Sequence, residues 1–332
     1  MRHSEPMVGI NLGGWLVIEK WMTPSLFEGT SARNEFELSK TKEGRRRIER
    51  HHQTFITKKD LVWLKGQGVQ ILRVPIGYWV DGSDVRYVGS LDRLDWLMRT
   101  SLSVGLKVLL DLHGAPGAQN RAMHSGSGNT ISDKHSTKWL NDASAQAQTI
   151  DVLVTVTARY SHYPHLWGVQ LLNEPSVDLL GLKLARFYRR AYTAVISVAR
   201  PGTRIVFSDA YAPLRLTNCL KLHERPDFPV VMDCHIYQVF GRTNKGKSFE
   251  AHLRRLKWTK RFLRLMRLSQ PVLIGEWSAM LPIRTSPEMT RQYIKAQITA
   301  FSGCEAQMYW SYKTESEGRW NFRDQASKGL LQ

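Results

Sequence analysis

The chain has 332 residues, 42% of them hydrophobic, and is therefore long enough to bury a large core in one domain or two. Its 47 lysine and arginine residues exceed its 29 aspartate and glutamate residues, which gives a formal net charge of +18. An even spread of Trp, Leu, Val and Ile excludes a disordered chain, and the lack of any run of about 18 apolar residues excludes a membrane-spanning segment.

Short apolar and β-branched runs recur along the chain and predict eight strands. In chain order they occupy residues 7–16, 70–78, 107–114, 166–175, 204–211, 230–240, 271–278 and 305–315. Helical patterns fill the intervals at residues 58–68, 91–105, 136–160, 179–200, 247–268 and 287–302. This alternation predicts an α/β fold, a single (β/α)8 TIM barrel that forms one catalytic domain over residues 1–332. A doubly wound open sheet is the alternative, but the glycines of NLGGWL lack the spacing of a phosphate-binding loop.

Positive charge is concentrated in the segments 44–50 (GRRRIER) and 252–269 (HLRRLKWTKRFLRLMRLS). In the second segment Leu256, Leu263 and Met266 fall near helical spacing. The remaining face carries the basic residues Arg255, Lys260, Arg261 and Arg264. This pattern predicts an outer helix with a solvated basic face, and a surface that binds an anionic polymer is the alternative. Neither segment contains a nucleic-acid-binding motif, so we expect no specific nucleic-acid partner.

The cysteines and the first residues bear on cofactors and compartment. Cys219, Cys234 and Cys304 are isolated, which argues against a disulfide scaffold or a zinc site. We expect a monomer without a metal or another cofactor. No apolar segment of secretory length precedes the first strand, so the chain either stays inside the cell or has lost a targeting segment.

Polar and aromatic residues stand at the ends of the predicted strands. In a (β/α)8 barrel these carboxyl ends form one mouth, where the active site lies. The residues are Glu19, Arg73, Asp111, His113, Asn173, Glu174, His235, Tyr237, Glu276, Trp277, Trp310 and Tyr312. Asp111 is expected to be a structural partner of Arg73 or of a backbone amide. For His113 a simple hydrogen bond to the backbone remains the alternative to a role in binding.

Glu174 and Glu276 each end an apolar run, and two carboxylates across a barrel mouth suit cleavage of a glycosidic bond. One can protonate the departing oxygen, while the other attacks the anomeric carbon or activates water. Facing carboxylates can also bind a divalent metal, but the neighbouring strand ends lack the further acidic residues that such a site requires. A carbohydrate-binding barrel without catalysis is the alternative from another class, although binding alone requires neither both carboxylates nor Arg73 beside them.

Seven segments in this order resemble a known family. Those that resemble glycoside hydrolase family 5 are RVPIGYW (73–79), DLHGAPG (111–117), LLNEP (171–175) and LIGEWS (273–278). Those that resemble its exo-β-1,3-glucanase branch are GINLGGWLVIEKWMTPSLF (9–27), HIYQVF (235–240) and YWSYKTE (309–315). The resemblance implies a retaining hydrolase that acts on β-glucan, most directly on β-1,3-glucan in exo mode. An endo-acting, β-1,6 or mixed-linkage β-glucanase is the alternative within the same family.

The resemblance also implies roles for the two glutamates and the residues around them. Glu174 would be the general acid/base and Glu276 the nucleophile. Arg73 would hold Glu276 ionised, and Tyr237 and His235 would orient its carboxylate.

Sugar contacts are implied in the same way. Asn173 would bind the 2-hydroxyl of the glycone, which is the sugar that becomes attached to the nucleophile and is then released. Glu19 and His113 would bind other hydroxyls of the same sugar. Trp310, or Tyr312 as the alternative, would stack under that sugar.

The leaving-group sugar would be held by an aromatic clamp, of which Phe240 is one half. The other half should follow APGAQN, where this chain has Ala122, so we expect weak binding of that sugar, tolerance of several linkages and poor transfer to acceptor sugars. The glycine-rich segment 124–129 is predicted to be a flexible loop at the mouth.

Overall fold

The computed structural model describes residues 5–120, 138–219 and 225–331. In these ranges eight parallel strands close into a barrel, each paired with its neighbour in sequence and the last with the first. This confirms the predicted (β/α)8 barrel. Ala122 and the segment 124–129 lie outside the described residues.

All eight predicted strands are present, most of them shorter than predicted. They are β1 (Met7–Asn11), β2 (Ile71–Gly77), β3 (Lys107–Gly114), β4 (Leu166–Gln170), β5 (Arg204–Ser208), β6 (Val230–Ile236), β7 (Val272–Trp277) and β8 (Ala306–Tyr309). Seven of the predicted strands end sooner, five of them by three residues or more, because the chain leaves the sheet at the mouth, where loop residues build the cavity.

All six predicted helices are present too. They are α3 (Lys58–Gly66), α4 (Leu91–Val104), α5 (Ala143–Tyr160), α6 (Leu182–Ile196), α8 (Phe249–Met266) and α9 (Pro287–Ala300). Four further α-helices within the described ranges were not predicted: α1 (Glu35–Leu38), α2 (Lys42–Thr54), α7 (Pro213–Cys219) and α10 (Phe322–Ser327). Helix α2 escaped prediction because its buried face consists of Gly44, Ile48, His51 and His52 and so carries almost no apolar periodicity.

The outer surface of α8 agrees with the sequence. Leu256, Leu263 and Met266 are buried against the barrel. The basic residues that lie exposed on the other side are Arg255, Lys260, Arg261 and Arg264. The predicted outer helix with an exposed basic face is therefore confirmed, and both roles predicted for this face, a solvated surface and a surface that binds an anionic polymer, require this exposure. Within the described residues, none of the helices combines the length and the apolar character needed to cross a membrane.

The inside of the barrel is layered. Alternate residues of a strand point to opposite sides, so every second residue faces the interior. A separate apolar cluster fills the lower interior with Ile71, Leu109, Trp167, Val206, Val231, Leu273, Ala306 and Met308. Two positions further along their strands, the interior residues are Arg73, Asp111 and Asp233, all fully buried. An apolar floor thus supports a charged layer directly beneath the mouth.

Strand β7 approaches β6 closely at Gly275. The backbone N–H of Gly275 donates to Asp233 Oδ1 at 2.7 Å. A Cβ atom on Gly275 would lie 2.2 Å from the same oxygen, which is too short for a contact between carbon and oxygen. Glycine at this position is therefore what allows the β7 main chain to hold the Asp233 carboxylate.

We predict that Gly275→Ala displaces Asp233 and lowers the free energy of unfolding by about 1–3 kcal/mol, as overpacking of a filled interior usually does. Urea unfolding followed by far-UV circular dichroism measures the change.

Gly66 supplies the matched control, because a Cβ atom added there meets nothing within 4 Å. Gly66→Ala should be neutral or stabilising by up to about 1 kcal/mol, since alanine favours a helix. Equal losses in both variants would show that the contact with Asp233 is not what requires glycine.

Candidate active site

A cavity of about 490 Å³ opens at the carboxyl ends of the strands. Its lining residues are Glu19, Trp21, His113, Asn173, Glu174, Tyr211, Tyr237, Phe240, Glu276, Trp310 and Trp320. Eight of the ten residues predicted for the site are among them. The other two, Arg73 and His235, are buried and contact the carboxylates that line the cavity.

The guanidinium of Arg73 lies at the centre of the buried network. Its Nη1 donates to Asn11 Oδ1 and to Glu276 Oε1, both at 2.9 Å. Its Nη2 donates to Asn173 Oδ1 at 2.8 Å and lies 3.1 Å from Asp111 Oδ2. Asp111 is thus the structural partner of Arg73 that the sequence predicted. The network joins residues of β1, β2, β3 and β7 to the segment that follows β4.

The carboxylate of Glu276 is held from two sides. Arg73 contacts Oε1, and the hydroxyl of Tyr237 donates to Oε2 at 2.8 Å. Burial raises the pKa of Glu276 from 4.5 to about 7, the charges of His235 and Arg73 act to lower it, and Glu174 acts to raise it. Arg73 therefore favours the ionised form of Glu276, as expected, but it lowers the pKa of Glu276 by less than burial raises it.

His235 lies between the two glutamates. Its Nδ1 is 2.6 Å from Glu174 Oε1 and 3.4 Å from Glu276 Oε2, while its Nε2 is 3.1 Å from Asp233 Oδ2. Burial acts to lower the pKa of His235, but the carboxylates of Glu276 and Asp233 raise it well above 6.5. His235 thus contacts the Glu276 carboxylate that it is expected to orient, and it makes a shorter contact with Glu174.

Glu174 stands just after β4 on a backbone with φ of 40°, in the left-handed region that is uncommon for residues other than glycine. Asn120 Nδ2 donates to the carbonyl of Glu174 at 2.9 Å, and Gln119 Nε2 donates to the carbonyl of Asn173 at 3.0 Å. The carboxylate accepts a hydrogen bond from the hydroxyl of Tyr211. The turn after β4 is thus fixed by side chains that follow β3, which directs Glu174 into the cavity.

Glu174, His235 and Glu276 are also a group that could hold a cation. One oxygen or nitrogen atom from each lies within 4.8 Å of the others. Both ring nitrogens of His235, however, face carboxylates, and a protonated imidazole has no lone pair to offer a metal. The donor set therefore fits a proton-carrying site better than a metal site.

One end of the cavity combines aromatic rings with buried polar groups. The ring of His113 stacks on Trp310, with centroids 5.5 Å apart, and its Nδ1 lies 2.7 Å from Asp111 Oδ2. Glu19 Oε2 accepts a hydrogen bond from Trp21 Nε1 at 2.9 Å. Burial raises the pKa of Glu19 to about 7, while the bond from Trp21 acts to lower it. This end offers a flat ring face with hydrogen-bonding groups around it, which suits a sugar.

The structure distinguishes between the two aromatic residues proposed for β8. Trp310 lines the cavity, whereas Tyr312 is buried and donates its hydroxyl to Asp60 Oδ1 at 2.6 Å. Tyr312 is therefore a structural residue. Trp277 is structural too, since its ring packs on Tyr309 with centroids 4.9 Å apart.

Trp21, Tyr211 and Trp320 line the cavity but were not predicted. The ring of Trp320 lies 5.8 Å from Trp21, 5.6 Å from Tyr237 and 5.9 Å from Phe240, measured between centroids. These four rings form an aromatic wall on one side of the cavity. Tyr211 lies three residues beyond the end of β5, whereas Trp21 and Trp320 lie ten and eleven residues beyond the ends of β1 and β8, where strand periodicity gives no signal.

Comparison with known proteins gives a consistent result. A family model described as cellulase (glycosyl hydrolase family 5) matches residues 32–316. Probable glucan 1,3-beta-glucosidase A of Aspergillus clavatus is 30% identical over 378 residues, which cover 99% of this chain and 88% of the relative. Glucan 1,3-beta-glucosidase of Kluyveromyces lactis is 28% identical, with 97% and 87% of the two chains covered.

Among solved structures, the rutinosidase of Aspergillus niger superposes with a TM-score of 0.80 over 99% of both chains. At 18% identity this likeness shows the shared fold alone. The family model spans most of the chain, and the Aspergillus clavatus relative aligns over nearly all of it. The chain therefore belongs to glycosyl hydrolase family 5 and is a glycoside hydrolase.

Proposed function

We propose that this chain is a retaining β-glucoside hydrolase that acts on β-1,3-glucan in exo mode. The main support for the retaining mechanism is that an oxygen atom of Glu174 and one of Glu276 lie within 4.8 Å of each other in one cavity. Retaining enzymes place their carboxyl groups about 5–5.5 Å apart, whereas inverting enzymes leave about 6.5–9.5 Å for a water molecule. The relatives from Aspergillus clavatus and Kluyveromyces lactis are named as glucan 1,3-beta-glucosidases, which supports the linkage and, because a glucosidase releases glucose, the exo mode.

In the first step Glu276 attacks the anomeric carbon while Glu174 gives its proton to the departing oxygen. The bond to the leaving sugar breaks, and a neutral glycosyl ester forms on Glu276. In the second step Glu174 takes a proton from water, and the water oxygen displaces Glu276. His235 supports both steps because it contacts both carboxylates, so the protonation states of the pair are linked.

The remaining residues are proposed to bind the sugars. Asn173, Glu19 and His113 would contact hydroxyls of the sugar being released, and Trp310 would stack beneath it. Phe240, whose side chain is 60% exposed, would contact the leaving-group sugar from the aromatic wall. Because sugars have apolar faces, such rings can hold them without a charged contact.

The basic face of α8 supports a second part of the proposal, an anionic polymer as a binding partner. Lys260 borders two grooves, one between α8 and α9 and one of about 960 Å³ at the end of α8. Further basic residues that line them are Arg254, Lys257, Arg264, Arg267 and Lys295. A row of like charges along a groove attracts an acidic polysaccharide of the kind found among wall polymers.

Substitution of the two glutamates should separate their roles. Glu276→Gln should abolish nearly all turnover, because no nucleophile remains. Glu174→Ala should lose about 10²–10⁴-fold on a glucoside with a poor leaving group but retain the first step on a dinitrophenyl glucoside, which needs no proton. Azide should then accelerate the second step by replacing water.

The matched control is Glu288→Gln, an exposed carboxylate on α9, which should have wild-type rates. If Glu174→Ala and Glu276→Gln lose activity equally, whatever the leaving group, the two roles are misassigned.

Arg73→Lys should destabilise the fold by about 3 kcal/mol, because lysine keeps the charge but cannot supply the several bonds of the guanidinium. It should also reduce kcat, since Glu276 loses a fixed donor. Thermal unfolding and steady-state kinetics measure both effects.

Arg159→Lys is the control, because the ion pair of Arg159 with Asp95 is partly exposed and contributes at most about 1 kcal/mol. Similar losses for both variants would argue against a special role of the buried guanidinium.

Salt should reveal the anionic partner. Hydrolysis of a carboxymethylated β-1,3-glucan should weaken as ionic strength rises from about 0.01 M to about 0.15 M, because screening shortens the range of the attraction. Lys260→Glu with Arg264→Glu should remove most of this dependence.

The control is the double variant Lys58→Glu, Lys59→Glu, which lies on the exposed start of α3. It changes the net charge by the same amount as the double variant on α8. Neutral laminaritriose should be cleaved equally by all forms. Identical salt profiles on both substrates would leave the basic face as a solvated surface only.

A further inference from the structure

The turn that follows β5 has an unusual backbone. Ala210 and Tyr211 have φ angles of 49° and 56°, so two consecutive residues with side chains adopt the left-handed conformation. This conformation is unfavourable for residues other than glycine and persists where the surroundings enforce it, often at functional sites. Here the Asp209 carboxylate accepts from the N–H of Tyr211 at 2.9 Å, and Ser208 Oγ accepts from the N–H of Ala210 at 3.2 Å.

The turn carries the side chain of Tyr211 from the end of β5 across to the end of β4. There its hydroxyl donates to Oε1 of Glu174, the same oxygen that lies 2.6 Å from His235 Nδ1. Although 63% of Tyr211 is exposed, its hydroxyl end is directed into the cavity. Burial and the charge of Glu174 raise the pKa of Tyr211, so its hydroxyl keeps its proton and remains a donor.

We propose that Tyr211 is a positioning residue that sets the proton affinity of Glu174 through this hydrogen bond, an inference that rests on the acid/base role proposed above. A donor to a carboxylate stabilises the ionised form relative to the neutral form. In the first step the bond therefore makes Glu174 a stronger acid towards the leaving group. In the second step it stabilises the carboxylate that must await a water molecule.

Other groups also bear on Glu174, and they remain in place when the hydroxyl of Tyr211 is removed. The titratable and charged groups that surround it, either directly or through His235, Glu276 and Tyr211, are Glu19, Arg73, His113, Asp209, Asp233, His235, Tyr237 and Glu276. Asp209 is bonded to the backbone of Tyr211, not to its hydroxyl, and so keeps its partner as well. Tyr211→Phe thus changes one donor and leaves the ring and the turn intact.

The test is the pH dependence of kcat/KM on phenyl β-glucoside, whose poor leaving group requires the acid. For Tyr211→Phe the alkaline limb should move to higher pH by about 0.5–1 unit, because the lost donor no longer favours the ionised carboxylate. Tyr163→Phe, a change at the far end of the barrel, should superpose on the wild type. A residue that only stacks on the sugar would change KM and leave the limb in place.

Glu174→Ala separates this inference from the assignment on which it rests. On phenyl β-glucoside, whose leaving group requires the acid, the residual activity of this variant should lack the alkaline limb. If the limb persists there, Glu174 is not the acid, and the proposed function loses its assignment. If the limb vanishes there while the Tyr211→Phe limb coincides with that of the wild type on phenyl glucoside, only the inference about Tyr211 is overturned. Circular dichroism checks that both variants fold.

Discussion

The burial of one guanidinium constrains the rest of the structure. Arg73 is fully inaccessible to solvent, and transfer of such a charge from water costs several kcal/mol unless acceptors surround it. Asn11 on β1, Gln170 on β4 and Glu276 on β7 each accept a hydrogen bond from Arg73 at 2.9 Å, and Asp111 on β3 adds a negative charge. Each partner comes from a different strand, so the barrel must close in the correct register for the charge to be satisfied. The same closure brings Glu276 to the mouth.

A second cationic side chain, His235, contacts both glutamates. His235 lies between Glu174 and Glu276 and is itself held by Asp233, which Gly275 anchors through its backbone N–H. Burial raises the pKa of Glu276, whereas His235 and Arg73 lower it. In the proposed mechanism a glycosyl ester neutralises Glu276, and His235 then retains one carboxylate partner in the cavity, Glu174. Without moving, His235 can thus contact the proposed nucleophile in the first step and the proposed base in the second step.

The sequence predicted the barrel because apolar runs and helical periods alternate, and it predicted most of the site because polar residues end those runs. Asp233 was missed although it precedes His235 by two positions and so shares its side of the strand. Tyr211 ends the predicted strand 204–211, but it reaches Glu174 only through the left-handed turn at Ala210 and Tyr211, which strand periodicity does not encode. The shorter contact of His235 with Glu174, the burial of Tyr312 and the place of Trp320 depend on side-chain packing across the mouth, which strand periodicity does not encode.

In the proposed mechanism Glu276 attacks the sugar directly, and Glu174 lies close enough to act on the same bond. Such a double displacement inverts the anomeric centre twice and therefore retains its configuration. Proton NMR during the first minutes of laminaritriose hydrolysis, before mutarotation mixes the anomers, measures the outcome directly. If Glu276 is the nucleophile, the β anomer of the released sugar appears first. Initial release of the α anomer would contradict this mechanism.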